Sequence, residues 1–416
     1  MNIKRELKIK TLIFLSLIFF NITALKSQSS DSISDFNNKL EKQESEKKWY
    51  DNISIRGYTQ IRYNRLLESN EDLGCEQCDK SWGKGGGFFI RRLRVILSGQ
   101  LGKHIYFYIQ PDFASAPVSD KLNFTQIRDA YVDVNFDKKA EFRFRIGQSK
   151  VPYGFENLQS SQNRLALDRN DALNSAVTNE RDIGVFFYWA PEKKRKLFSE
   201  LVRSGLKGSG DYGVIGFGVF NGQTANALEL NKQPHVIIRA TYPFEIKKQI
   251  IEVGIQGYMG KYVLPVSNLS KGVKVREDLT YKDQRVAASF MLYPKPFGIQ
   301  AEYNFGRGPE FNKNTDSIEL QNLHGGYIQM MYNLKIKKHI LIPFVKYQYY
   351  NGGKKHEKDA RSYEVSDFEI GFEWQPLKYF EFVANYTFSN RRYEDFSKPN
   401  NFQSGRLLRL QAQLNF

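Results

Sequence analysis

Residues 141–189 read EFRFRIGQSKVPYGFENLQSSQNRLALDRNDALNSAVTNERDIGVFFYW. At the start of this stretch Phe142, Phe144 and Ile146 alternate with Arg143, Arg145 and Gly147, the period of two expected of a strand with one apolar face. Residues 182–189 alternate again and bring the chain back. Between the two strands, residues 153–180 form a polar connection with no clear structure of its own. Loops of this length are uncommon inside a compact domain and usually carry function. The stretch therefore predicts two strands joined by a functional loop, and we expect that loop to fold into the mouth of a membrane pore.

The same alternation recurs in both directions. Ile55, Thr59, Ile61 and Tyr63 oppose Arg56, Gln60, Arg62 and Asn64, and Leu93, Val95 and Leu97 oppose Arg92, Arg94 and Ser98. Ala130, Val132 and Val134 oppose Asp129, Asp133 and Asn135; near the end Phe368, Ile370, Phe372 and Trp374 oppose Asp367, Glu369 and Glu373. A soluble sandwich would bury such apolar faces against each other, whereas a membrane barrel turns them to lipid and keeps the polar faces in a wet lumen. The composition favours the barrel. The 416 residues exceed the usual size of a single core, yet no domain boundary interrupts the pattern, and 14% aromatic residues and 31 Gly are spread along it.

Connector lengths agree. Short links fall at residues 102–104, 137–139, 243–249, 294–297, 334–339 and 375–379; longer ones lie between them at 67–87, 114–124, 153–180, 221–233, 263–283, 308–322, 351–361 and 390–404. Short turns at one end and long loops at the other are the outer-membrane arrangement. The pattern predicts an all-β fold, a transmembrane antiparallel barrel of about 16 strands, occupying residues 51–416. One link breaks the rule: residues 190–210 should be a short turn and are long, basic (KKRK at 193–196) and partly helical in pattern. The last strand ends the chain, with Leu408, Leu410, Ala412, Leu414 and Phe416 alternating with Arg409, Gln411, Gln413 and Asn415. A terminal aromatic closing a strictly alternating strand resembles the signal by which outer-membrane barrels are recognised by the assembly machinery.

The N-terminus carries Lys4, Arg5, Lys8 and Lys10 before an apolar run at residues 12–20. This is the pattern of a secretory signal peptide, assigned to residues 1–28 and followed by a flexible periplasmic lead-in at 29–50. The formal net charge is +16. Export to the outer membrane of a Gram-negative cell makes the basic runs solvated turns rather than a nucleic-acid surface. Cys75 and Cys78, one CxxC with no second pair of ligands, are read as a loop disulfide, with reactive thiols as the alternative, and not as a zinc site. No metal-ligand, dinucleotide or phosphate-loop pattern occurs, so no cofactor is expected.

The segments GQSKVPYGFENLQSS (147–161), LDRNDAL (167–173) and ERDIGVFFYW (180–189) resemble the phosphate-selective porin O and P family. That resemblance implies a sixteen-stranded porin, commonly trimeric, whose third external loop folds inward to narrow the channel and whose lysines and arginines favour phosphate or other small anions.

Strand parity independently assigns charges to the lumen. Arg56, Arg62, Arg92, Arg94, Arg143, Arg145, Arg239, Arg285 and Arg409 face inward with Asp112, Asp129, Asp133, Glu141, Asp182, Glu252, Glu302, Asp367, Glu369, Glu373 and Glu381. This is not a uniformly cationic pore. Arg56, Arg62, Arg92, Arg94 and Arg409 gather on one wall, a basic surface suited to phosphate. The loop itself holds Arg164 and Arg169 against Glu156, Asp168, Asp171 and Glu180. An acidic loop facing a basic wall would set a field across the constriction. Arg143, Arg145, Lys150, Arg164 and Arg169 are the constriction candidates; the alternative for each is an internal salt bridge that anchors the loop. A surface receptor or a hydrolase built on the same barrel is the competing function. For the hydrolase there is no GxSxG nucleophile motif, and His104, His235, His324, His339 and His356 read as solvated or interfacial.

Overall fold

Alternation dictates strands, and strands that turn apolar side chains to lipid cannot leave an unpaired edge there, so the sheet must close. The computed structural model describes residues 49–75, 82, 87–115 and 123–416. The expected signal segment, nearly all of the lead-in, and Cys78 with its expected pairing to Cys75 lie outside the described residues. In chain order the strands are β1 (Ile53–Leu66), β2 (Phe88–Leu101), β3 (Ile105–Ser115), β4 (Phe124–Asn135), β5 (Phe142–Lys150), β6 (Arg181–Trp189), β7 (Ile215–Phe220) and β8 (His235–Ile246). They continue with β9 (Gln249–Val263), β10 (Thr280–Leu292), β11 (Phe297–Asn312), β12 (Ser317–Tyr332), β13 (His339–Gly353), β14 (Ser362–Leu377), β15 (Phe380–Glu394) and β16 (Phe402–Asn415). The short segment Leu334–Ile336 pairs with β13, as β12 does, and continues β12 past Asn333. Each strand pairs antiparallel with its neighbour in sequence, and β1 pairs with both β2 and β16, which closes a sixteen-stranded barrel. Ahead of the barrel unit, which begins at Ser54, Trp49–Asn52 form a 3-10 turn.

The seam fixes the ends of the chain. Phe416 exchanges two backbone hydrogen bonds with Gly57, at 2.7 and 3.0 Å. A Cβ on residue 57 would collide with the Arg94 carbonyl oxygen and stand 2.6 Å from the Phe416 ring, so the close approach of backbone here favours glycine.

Parity sorts the faces as expected. Ile61, Ile146, Val185, Ile238, Ile255, Phe305, Ile370 and Trp374 are exposed on the outside, while Gln60, Arg62, Arg145, Glu302, Lys346 and Arg409 are buried within. The expected loop at 308–322 is instead strand: β11 and β12 pair residue for residue from Gly308↔Gln321 to Asn312↔Ser317, and only residues 313–316 turn. The loop expected at 390–404 likewise shrinks to residues 395–401. In the first of these extensions Phe311 and Ile318 are buried, Ile318 against Tyr262, Leu264 and Tyr281, so the exposed-apolar, buried-polar alternation of the membrane zone stops while the backbone pairing continues.

His235 departs from expectation. It is fully buried, packed against Phe220 and Tyr258.

Candidate functional site

The third external loop, residues 151–180, turns into the barrel and is fastened there by charged side chains. It contains two short helices, α1 (Phe155–Leu158) and α2 (Asp171–Ala176). A four-residue helix cannot satisfy its own ends, and here the wall does so. Glu302 on β11 accepts the N–H groups of Phe155 and Glu156 at 2.8 Å each. At the other end the Lys150 ammonium donates to the carbonyls of Asn157, Leu158 and Gln159, at 3.0, 3.1 and 2.8 Å. Gly154, with φ of +83°, makes the entry turn in a conformation that favours glycine. At the C-terminal end of α2, Arg285 on β10 donates to the Ser175 carbonyl and hydroxyl, at 2.9 and 2.6 Å.

The loop's four acids all serve as anchors. Glu156 pairs with Lys346 on β13 at 2.6 Å, Asp168 with Arg409 on β16, and Asp171 with Lys354 and, at 3.0 Å, Arg391 on β15. Glu180 sits among Arg164 at 2.9 Å, Arg169 at 3.3 Å, Lys150 at 3.9 Å and Arg181. Burial alone would raise its carboxyl; these four cations hold it well below the usual carboxylate range. The field expected from an acidic loop facing a basic wall is thus spent in direct contacts.

The long link between β6 and β7, residues 190–214, supplies a second inward element from the short-turn end. Its helix α3 (Glu192–Arg203) buries Lys194, Leu197, Phe198 and Leu201, the spacing of one helix face. Leu197, Leu201 and Leu206 pack in one apolar cluster with Phe155 and Leu165 of the third loop and with Ile250, Tyr293, Met331 and Phe344 of the barrel. Ion pairs reinforce the packing: Asp211 receives Arg143 on β5 at 2.6 Å and Arg195 on α3 at 2.9 Å, and Lys207 reaches Glu373 on β14 at 2.6 Å. Burial raises the Asp211 carboxyl, but Arg143 and Arg195 outweigh it and bring it down to about 2.

Loop and insert together fill the lumen alongside β8–β15. A cavity of about 1220 Å³ remains between them and the wall of β1–β5. Its lining holds ten basic side chains and three acidic ones, Asp129, Asp133 and Asp211. Six of the ten are engaged. Arg145 makes a bidentate pair with Asp133 and stacks 3.9 Å from the centre of the Tyr131 ring; Arg181 pairs with Asp129 at 2.9 Å; Arg143 and Arg195 share Asp211; Lys150 caps α1; Lys139 pairs with Glu192 at 3.4 Å. Arg56, Lys103, Lys138 and Arg203 are exposed and form no ion pair among the described residues.

Of the five constriction candidates, Arg143, Arg145 and Lys150 line this cavity, whereas Arg164 and Arg169 do not and turn to Glu180. Of the expected basic wall only Arg56 lines it. Arg62 and Arg409 hold Asp168, Arg94 pairs with Asp112 at 2.7 Å, and Arg92 donates to Gln60 at 2.8 Å. Sequence reasoning missed Lys346 and Arg391 as lumen charges. Parity would have found both had their strands been followed, since Lys346 shares its face with Ile342 and Phe344 and Arg391 with Thr387 and Ser389.

A closed sixteen-stranded antiparallel barrel, apolar outside, polar within and narrowed by an inward loop, defines an outer-membrane channel of the porin class. The sequence profile of the phosphate-selective porin O and P family matches residues 71–416, and the chain belongs to that family. Among solved structures, the outer membrane channel DcaP of Acinetobacter baumannii is similar, with a TM-score of 0.54 at 14% identity over 88% of this chain and 97% of that one. The anion-selective porin from Comamonas acidovorans gives 0.51 at 10% identity, over 88% and 99%. OmpF of Salmonella typhi, in complex with daunomycin, gives 0.51 at 10%, over 88% and 97%. At such identities the likeness is one of fold. No curated protein sequence matches the chain.

Proposed function

We propose that this porin admits small hydrophilic solutes by passive diffusion and prefers anions, phosphate among them. The observation that carries this reading is the charge of the cavity lining, ten basic side chains against three acidic. Fixed guanidinium and ammonium groups around a confined aqueous space raise the local concentration of anions and lower that of cations. Four of those cations, Arg56, Lys103, Lys138 and Arg203, have no carboxylate partner among the described residues and stay available to a passing solute. Arg143, Arg145 and Lys150 add positive potential while fixed in place. The channel reading is preferred to a receptor or hydrolase on the grounds of family membership. We further propose that residues 1–28 direct export, that Phe416 serves as the assembly signal, that Cys75 and Cys78 pair, and that the protein works as a trimer in the outer-membrane lipid.

Orthophosphate tests the solute class. Added to purified channels in planar bilayers, it should reduce chloride current, and the block should weaken when Arg56, Lys103 and Lys138 are replaced together by Gln. Chloride current indifferent to phosphate would reject phosphate as a preferred solute.

A further inference from the structure

The link between β6 and β7 is a topological anomaly. Every other connection at that end of the barrel is short, down to two residues between β8 (ending at Ile246) and β9 (starting at Gln249), and two residues would suffice to join antiparallel neighbours. Here residues 190–214 are used instead, and they fold into the lumen.

The helix in this link has two working faces. Lys194, Leu197, Phe198 and Leu201 are the buried ones. Arg195, Ser199, Val202 and Arg203 recur at intervals of four, three and one, and all four line the basic cavity; at 3.6 residues per turn they form a second stripe. The residues of α3 that line the cavity include Arg195 and Arg203 and no acid; Glu192, one turn before Arg195 on the same face, is engaged by Lys139 and Lys196, and Glu200 stands on another face. The stripe is fixed at its Arg195 end. Arg195 is clamped by Asp211 and by the Lys139 carbonyl, at 2.9 and 2.6 Å, and Asp211 is clamped in turn by Arg143 from β5. Arg203, one turn beyond Ser199, is left exposed.

We propose that this periplasmic insert is a second selectivity element of the pore, acting together with the third loop, and that Arg203 is its specificity-determining side chain. An anion in the cavity meets β1–β5 on one side and α3 on the other, with third-loop residues Leu158, Ser160, Gln162 and Asn163 at the remaining wall. Arg195 and Arg143 are positioning residues in this scheme: through Asp211 they hold the stripe against the path. The inference rests on the anion-channel reading above and extends it from the barrel wall to the insert.

The test uses the full-length protein in planar bilayers. Because Arg203 is exposed and unpaired among the described residues, Arg203→Glu leaves the packing of α3 intact. It should lower the anion-over-cation permeability ratio by about sevenfold, because a change of one kT in cavity potential lowers the anion concentration and raises the cation concentration by a factor of about 2.7 each. Independently, Ser199→Cys should lose conductance when a bulky anionic methanethiosulfonate is added on the periplasmic side, with the unsubstituted protein as control. If Arg203→Glu keeps the original ratio and modified Ser199→Cys keeps the original conductance, the insert does not line the path and the proposal is overturned. If the unsubstituted channel shows no anion preference, the proposed function fails instead, and the Ser199→Cys conductance alone then decides whether α3 borders the path.

Discussion

Two segments enter the lumen from opposite ends, and both bury apolar side chains, but the third loop adds a much denser set of buried ion pairs. The third loop is tied by buried charge: Glu156, Asp168, Asp171 and Glu180 each meet at least one cation, and Glu302 and Lys150 cap α1 from the wall. The insert at residues 190–214 is held chiefly by the apolar face of α3, with Asp211 and Lys207 as its buried ionic ties. Displacing the loop would strand several charges in a confined space at once, whereas displacing the insert exposes mainly leucines. The difference teaches that the loop is a fixed part of the barrel and that the insert is the more readily altered wall of the pore.

The strongest challenge to this comparison is Glu180→Gln. Removing one member of a buried ionic cluster while leaving its partners in place costs roughly 3–5 kcal/mol, and here Lys150, Arg164, Arg169 and Arg181 would be left facing one another. The variant should lose its heat-resistant folded band on gels at a lower temperature and show unsteady single-channel currents. A variant as heat-resistant and as quiet as the parent would mean that the loop is not held by charge.

A smaller effect is expected at Asp211→Asn, about 1–3 kcal/mol, since the charge-assisted bonds to Arg143 and Arg195 are lost while the apolar face of α3 stays buried. The sign with pH follows from its depressed carboxyl. The stability that Asp211 contributes is present above its ordinary value near 3.8 and is lost as pH falls through about 2. The difference between parent and variant should therefore be constant from pH 5 to pH 8 and shrink below about pH 4. A difference that grows on acidification would contradict the assignment.

Much of the barrel could be read in the sequence because hydrocarbon outside and water inside impose a period of two, and β14, β15 and β16 obey it closely. Strand ends could not be read, since on Gly308–Asn312 and its partner Ser317–Gln321 the apolar side chains Phe311 and Ile318 are buried rather than turned to lipid, and the alternation of the membrane zone does not continue. The third loop stood out in the sequence by its length, but its attachments did not. Lys346 and Glu156 are separated by 190 residues, and such pairings depend on which strands face each other across the lumen. Arg143 and Arg145 both line the cavity and both are salt-bridged, Arg143 to Asp211 of the insert and Arg145 to Asp133 on the neighbouring strand β4. For the insert a signal was available. Leu197 and Leu201 one turn apart in an otherwise basic helix need an apolar partner, and on the periplasmic end of a barrel the lumen can supply one.

The central claim is that the cavity beside β1–β5 makes this porin prefer anions. The direct measurement is the reversal potential of the purified, unsubstituted channel in a potassium chloride gradient at neutral pH. A reversal potential with the sign set by chloride is the predicted result; one near zero or with the sign set by potassium would contradict the account.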